Sequence, residues 1–186
     1  MPSSAQTELI DRAAAALGQV TGAEVRPFST MDFGREQNPK GRSVLVPVDA
    51  AEQLLDSVRK QLPPGTLAFV GLEEGPAGPH AELVVAEGSS QFDILRIAAT
   101  DAINYGFSTE DLIRELQSWD AEYGIDIWQA ATDTIQLRLR TLPTDLPAFA
   151  ERVYKFCPDI VDQGVDDVRL LELAIAESHG LFLWWD

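Results

Sequence analysis

Residues 181–186 constrain the fold more than any other stretch of this sequence. They read Leu181-Phe182-Leu183-Trp184-Trp185-Asp186. Chain termini normally fray, so five consecutive apolar side chains at the last positions indicate a segment that is tied down. Successive side chains of a strand point to opposite faces, and this segment is apolar on both. The pattern predicts a final strand over residues 181–185 that lies inside a sheet.

The other elements of the second half follow from periodicity and turn residues. The clearest is a strict alternation over residues 135–140 that predicts a half-exposed strand. The predicted order is strand 92–99, loop 101–106, helix 108–123, strand 125–130, strand 135–141, helix 145–156, loop 159–164, helix 166–179 and strand 181–185. This β-α-β-β-α-α-β order predicts an α+β, ferredoxin-like C-terminal half with one added helix.

The first half is predicted to be an N-terminal α/β extension. Its predicted elements are helix 5–17, strand 23–28, polar loop 29–42, strand 44–48, helix 49–62, and a hairpin of strands 67–72 and 81–86 around turn 75–79. Residues 88–90 are too few for a flexible linker. We therefore expect an N-terminal portion, residues 1–90, to pack on a ferredoxin-like domain, residues 91–186.

Charge and composition restrict the partners. The formal net charge is -16 and the pI is near 4.3. Such a field repels nucleic acid and attracts a basic protein or a cation, although acidity also simply keeps a protein soluble. A single cysteine, no apolar run near the roughly 18 residues of a membrane span, and a start unlike a signal peptide indicate a cytoplasmic protein that does not bind membranes.

Distinctive polar residues are predicted to meet at one edge of the C-terminal sheet. Successive strands and helices of this half are predicted to run in alternating directions. The loops that follow residues 100, 131 and 157, and the end of the last strand, therefore lie at the same edge. Loops above a rigid sheet carry function more often than the opposite edge does. The predicted cleft is lined by Asp101, Asn104, Asp133, Asp159, Asp162, Gln163 and Asp186, with Tyr105 or Trp184 as an apolar wall.

Two interpretations of these side chains remain open. Carboxylates with amides suit a hard divalent cation such as Mg²⁺ or Ca²⁺. The same residue types also cap helices and form turns without any ligand, and this second interpretation is favoured. No other cofactor is indicated. Cys157 is interpreted as a small buried thiol rather than a nucleophile, because neither His80 nor His179 is predicted to lie beside it.

Several strings in the sequence resemble a known bacterial family. They are Asp93-Ile94-Leu95-Arg96, Thr100-Asp101-Ala102-Ile103-Asn104-Tyr105, Thr109-Glu110-Asp111-Leu112-Ile113, Thr132-Asp133-Thr134, Phe156-Cys157-Pro158-Asp159-Ile160-Val161-Asp162-Gln163-Gly164 and Leu183-Trp184-Trp185-Asp186. Together they resemble the family called "domain of unknown function 4253" over about residues 80–186, with Leu62-Pro63-Pro64-Gly65 and Ala68-Phe69-Val70-Gly71 as a family-like leader. The resemblance implies a cytoplasmic bacterial protein. It implies no reaction and no catalytic residue.

Two functional hypotheses follow. The first is a non-catalytic binding or regulatory module for a basic protein, supported by the net charge and by the lack of an enzyme motif. The second is a metal-assisted hydrolase that uses the carboxylate cluster. The sequence leaves open whether the protein is an enzyme.

Overall fold

The computed structural model describes residues 4–30, 41–74 and 80–186. The chain divides into two compact units, Met1–Ala99 and Thr100–Asp186. Predicted turn 75–79 and most of predicted loop 29–42 lie outside the described residues. The prediction of a division near residue 90 stays a prediction.

The described residues of the first unit form three helices and four strands. In chain order its described elements are α1 (Ser4–Thr21), β1 (Arg26–Phe28), β2 (Gly41–Pro47), α2 (Val48–Arg59), β3 (Thr66–Glu74), β4 (His80–Glu87) and α3 (Asp93–Ala98). The strands lie in the order β1-β2-β4-β3, and all neighbours pair antiparallel. The hairpin predicted from residues 67–72 and 81–86 is therefore confirmed as β3 and β4.

Helix α3 replaces the strand predicted over residues 92–99, so that prediction is wrong. The Asp93 carboxylate accepts hydrogen bonds from the backbone N–H groups of Ser89 and Ser90, at 2.9 and 3.1 Å, and so ties the first residue of the helix to the chain that precedes it. Ala99 ends it with a φ of 53°. The buried residues follow helical spacing, not alternation: Ile94, Leu95 and Ala98.

The second unit keeps the remaining predicted elements in the predicted order. They are α4 (Thr109–Tyr123), β5 (Ile125–Ala130), β6 (Thr134–Leu139), α5 (Leu146–Phe156), a π-helical turn (Ile160–Val165), α6 (Val168–Ser178) and β7 (Gly180–Trp184), preceded by a 3-10 turn (Ile103–Tyr105). The stretch predicted as loop 159–164 is largely the π-helical turn. Mixed helices and strands confirm the α+β class. The ferredoxin-like plan, whose predicted first strand is helix α3, stays a prediction.

Local sequence explains where the helices of the second unit begin and end. Ser108 and Asp111 form a reciprocal capping box at the start of α4, and Gly124 ends that helix with a φ of 66°. Asp145 caps α5 by accepting from the Ala148 N–H at 3.0 Å. The sequence predicts Ser108 as the first cap and Thr144 or Asp145 as the second, and the structure shows Ser108 and Asp145.

An aromatic cluster forms the core of the second unit. The buried Trp119 ring on α4 meets Phe149 and Phe156 on α5 at centroid distances of 5.3 Å. Phe156 in turn contacts Trp185 at 5.4 Å, edge to face. The Trp185 indole N–H also donates to the Phe156 carbonyl at 3.1 Å. The last residues of the sequence are therefore held by the core, as their composition predicts.

Strand β7 is an edge strand, so the prediction that it lies inside a sheet is wrong. Within the described part of the chain it pairs with β6 alone, antiparallel. Its two faces also differ in burial: Leu181 and Leu183 are buried, whereas Phe182 is 47% exposed and Trp184 is half-buried. Apolar residues on both faces therefore reflect one core face and one face that carries exposed aromatic rings.

Adjacent residues of β7 test this division. Leu183→Ala is expected to lower the free energy of unfolding by about 2–5 kcal/mol, because the buried side chain leaves a cavity. Phe182→Ala, the matched control on the exposed face, is expected to lower it by less than about 1 kcal/mol. Denaturant unfolding of both variants measures the difference. Equal losses would contradict the two-faced description of β7.

Candidate functional site at one sheet edge

The β5–β6 turn and the end of β7 lie at the same edge of the second unit. β5 and β7 both pair antiparallel with β6, and Thr134 stands opposite Trp184. The Trp185 N–H donates to the Asp133 carbonyl at 3.1 Å. The loop before α4 reaches this edge too, because the buried Thr100 hydroxyl donates to the Ala131 carbonyl at 2.6 Å.

Asp159 is the buried hub of this edge, with only 3% of its surface exposed. One carboxylate oxygen accepts from the Tyr105 hydroxyl at 2.6 Å, and the other accepts from the Asp186 N–H at 2.8 Å. Gln163 donates a further side-chain hydrogen bond. Burial by itself raises the pKa of Asp159, but these donors together hold the pKa below its ordinary value. The carboxylate therefore stays ionised and fastens three segments.

The other predicted site residues are placed as follows. Asp162 accepts from the Tyr154 hydroxyl at 2.9 Å. Asp101 is fixed through its backbone, whose N–H donates to the Thr132 carbonyl at 3.0 Å. Asn104 lies exposed on the 3-10 turn. The structure thus joins Tyr105, Asp159, Gln163 and Asp186 by direct bonds and puts Asp133, Trp184 and Asp186 around one depression.

That depression has a volume of about 320 Å³ and opens widely to solvent. Its lining residues are Asp133, Thr134, Phe182, Trp184, Trp185 and Asp186. The Phe182 and Trp184 rings lie 5.0 Å apart between centroids, at an interplanar angle of 37°. Aromatic rings and carboxylates are therefore presented together. We call this feature the aromatic notch.

The Trp184 ring is seated by the π-helical turn. A Cβ on Gly164 would lie 2.7 Å from Cη2 of that ring, so the glycine is required for the ring to approach the turn. On the backbone, the Cys157 thiol donates to the Trp184 carbonyl at 3.0 Å. One side of the indole thus packs on protein while its residue remains half-exposed in the notch.

A second aromatic group lies on the same face of the sheet. Thr134, Gln136 and Arg138 alternate with the buried residues of β6 and stand opposite Trp184, Phe182 and Gly180. The Arg138 guanidinium lies 5.7 Å from the centroid of the Trp128 ring and pairs with the Asp126 carboxylate at 3.3 Å. This face therefore already holds one arginine that contacts both an aromatic ring and a carboxylate.

Comparison with known proteins gives a family but no activity. The family model "Domain of unknown function (DUF4253)" matches residues 82–186, which is more than half of the chain. The chain belongs to this family. Searches of curated proteins and of solved structures gave no match. The matched residues include the Asp159 hub and the aromatic notch, and they confirm the resemblance seen in the sequence strings.

Cys157 behaves as a structural residue in this family member. It is fully buried, and burial raises the pKa of its thiol to about 11. The buried-thiol interpretation is supported by this position and by the hydrogen bond to the Trp184 carbonyl. A nucleophile would instead need an exposed, readily ionised thiol beside a base.

The carboxylates of the site do not form a metal cage in the part of the chain that the structure describes. Over residues 4–30, 41–74 and 80–186, no group of three His, Cys, Asp or Glu side chains has the geometry to hold a metal ion. Asp159 and Asp162 each accept a tyrosine hydroxyl instead. In the same ranges, no helix combines the length and apolarity that crossing a bilayer requires.

Sequence reasoning missed four contributors to this edge. Tyr154 and Thr100 supply hydroxyl donors, Gly164 gives the Trp184 ring its seat, and Phe182 forms half of the notch. Phe182 had a signal, because alternation along residues 181–185 puts it on the same face as Trp184. The two hydroxyl contacts join separate chain segments, and a single sequence carries no local sign of them.

The pKa of Asp159 makes stability depend on pH. A carboxyl group whose pKa is lower in the folded state contributes stability above its unfolded pKa of about 3.9, and that stability is lost as the pH falls. Between about pH 5 and 2, the wild-type protein is expected to lose stability more steeply than Asp159→Asn.

Denaturant unfolding across that pH range measures the slope. Tyr105→Phe keeps the carboxylate but removes one donor, so its slope should fall between those of the wild type and Asp159→Asn. Parallel curves for wild type and Asp159→Asn would refute the hub.

Thiol labelling tests the structural interpretation of Cys157. At about pH 8, the ionised fraction of a thiol with a pKa near 11 is lower by a factor of more than about 100 than that of an ordinary cysteine, whose pKa is about 8.5. An aromatic disulfide reagent should therefore react slowly with the folded protein and rapidly after unfolding. Rapid reaction in the folded state would reopen the case for a nucleophile.

Proposed function

We propose that this protein is a non-catalytic binding or regulatory module for a basic protein, and that it works in the bacterial cytoplasm. The observation that carries the proposal is the aromatic notch, where two aromatic rings are presented beside the exposed Asp133 and Asp186 carboxylates. Exposed aromatic rings are typical of protein-binding surfaces. The bordering carboxylates select a basic partner over an acidic one.

The distribution of charge supports a basic partner. Residues 157–186 contain seven acidic side chains and one basic side chain, Arg169. Of the acidic side chains, Asp159 is buried, whereas six lie exposed or half-buried: Asp162, Asp166, Asp167, Glu172, Glu177 and Asp186. An acidic field raises the rate at which basic molecules reach the surface, and it repels nucleic acid. The family segment therefore carries a concentrated share of the net charge of -16.

The metal-assisted hydrolase remains the second hypothesis, and the described residues give it less support. A hydrolytic site needs carboxylates whose oxygens converge on a metal or a water. Here the buried carboxylate of Asp159 is occupied by Tyr105, Gln163 and the Asp186 N–H. A rise in melting temperature with millimolar Mg²⁺ or Ca²⁺ would favour this second hypothesis.

Titration with defined peptides tests the proposed function. The protein is titrated with an arginine- and lysine-rich synthetic peptide and with an acidic peptide of the same length. Only the basic peptide is expected to bind. Its affinity should fall steeply as salt rises, because the screening length shrinks from about 10 Å at 0.1 M to about 3 Å at 1 M.

Two matched double variants then locate the surface. Asp133→Asn with Asp186→Asn removes two carboxylates at the notch, whereas Glu8→Gln with Glu24→Gln removes two exposed ones from the first unit. Exposed charge pairs are worth roughly 0.2–1 kcal/mol each, so the notch variant should weaken binding roughly 2- to 30-fold. Equal losses in both variants, or equal binding of both peptides, would contradict the proposal.

A further inference from the structure

We propose that the aromatic notch is a receptor for a single cationic side chain, above all an arginine, of the basic partner. The inference rests on the proposed function and deepens it, because it names the group that is recognised. Its physical basis is a cavity with two aromatic rings in its wall and carboxylates at its border. A volume of about 320 Å³ lies at the lower end of ligand pockets and suits one long side chain.

Both the aromatic rings and the carboxylates of the lining suit an organic cation. A cation is attracted to the face of an aromatic ring, and tryptophan is the best of the aromatic residues for this contact. Carboxylates such as those of Asp133 and Asp186 can then accept hydrogen bonds from the same cation. A bare Mg²⁺ or Ca²⁺ ion would need several converging oxygen ligands instead of two rings.

The same face of the sheet already displays the proposed contact inside the chain. Arg138 lies over the Trp128 ring at 5.7 Å and pairs with Asp126 at 3.3 Å. The notch offers an equivalent combination of a ring and carboxylates, with no cation from the described chain among its lining residues. The planar guanidinium favours arginine over lysine, since it stacks on a ring and pairs with a carboxylate at the same time.

Trp184 is prepared for this role before a partner arrives. Gly164 lets the indole pack against the π-helical turn, and the Cys157 thiol holds the Trp184 carbonyl. Phe182 stands beside it at 5.0 Å. A ring that is held in place loses little conformational freedom when a ligand stacks on it, so more of the contact energy is kept as affinity.

Short peptides with one changed side chain provide the test. The full chain is titrated with blocked tripeptides Gly-Arg-Gly, Gly-Lys-Gly and Gly-citrulline-Gly, and NMR follows the indole N–H signals of its four tryptophans. Trp184→Phe assigns the signal of Trp184. The arginine peptide is expected to shift that signal, the lysine peptide to bind more weakly, and the neutral citrulline peptide to leave it unchanged.

Variants of Phe182 separate the ring from apolar area. Phe182→Leu is expected to weaken arginine binding roughly 2- to 30-fold, whereas Phe182→Tyr should retain it, because only the first loses the π face. Leu173→Ser, which alters another exposed apolar residue, is the control and should have no effect. Because Phe182 is 47% exposed, these variants are expected to fold.

The outcomes distinguish this inference from the proposed function. If long basic peptides bind but Phe182→Leu changes nothing and the Trp184 signal stays fixed, the receptor is wrong while the proposed function stands. Equal shifts with the arginine and citrulline peptides would also contradict the inference, because binding at the notch would then not depend on the positive charge of the ligand. If no basic peptide binds the wild-type protein, the proposed function fails as well.

Discussion

A buried, ionised carboxylate organises the second unit. Removing the Asp159 carboxylate from water costs several kcal/mol unless its oxygens are bonded, and here the Tyr105 hydroxyl, the Asp186 N–H and Gln163 supply the bonds. The donors come from the 3-10 turn, the end of β7 and the π-helical turn itself. One carboxylate therefore positions the segments on which the notch depends, and the most distinctive acidic string of the sequence is first of all structural.

The edge of β7 shows which kind of recognition the fold permits. The Leu139 N–H donates to the His179 carbonyl, and the Trp185 N–H donates to the Asp133 carbonyl. The backbone N–H and C=O groups of the odd-numbered residues of β7 therefore point toward β6, and those of the even-numbered residues point away from the sheet. Of the outward groups, those of Gly180 bond to Ser178 and the Trp184 carbonyl accepts the Cys157 thiol. An added strand could therefore form few backbone hydrogen bonds with this edge apart from those to Phe182. Recognition through side chains is therefore favoured over strand addition.

The order of elements after residue 108 could be predicted because caps and periodicity are local signals. Ser108, Gly124 and Asp145 mark helix ends by their own chemistry. Residues 92–99 could not be assigned safely, since a short apolar run fits a buried strand or a short helix. The Asp93 carboxylate binds the N–H groups of Ser89 and Ser90, two residues that precede the apolar run and lie outside the window in which its periodicity is read.

The sequence predicts where the candidate site lies, but it does not predict the roles of the individual carboxylates. Antiparallel pairing and chain reversal bring Asp133 and Asp186 to one edge, and both steps can be read from the sequence. Burial cannot be read in the same way, because an aspartate in a turn looks alike whether it holds a fold or faces a ligand. The fold separates Asp159, which is 3% exposed and hydrogen-bonded, from Asp133, which lies exposed at the notch. The separation assigns different roles to the two carboxylates: the buried one sets the shape of the site, and the exposed one remains free to meet a cation.

A net charge of -16 acts over about 10 Å and can bring any basic molecule near, so discrimination among basic partners must come from contacts of short range. The two rings of the notch supply such contacts, and they do so only because the buried carboxylate keeps the chain around them in place.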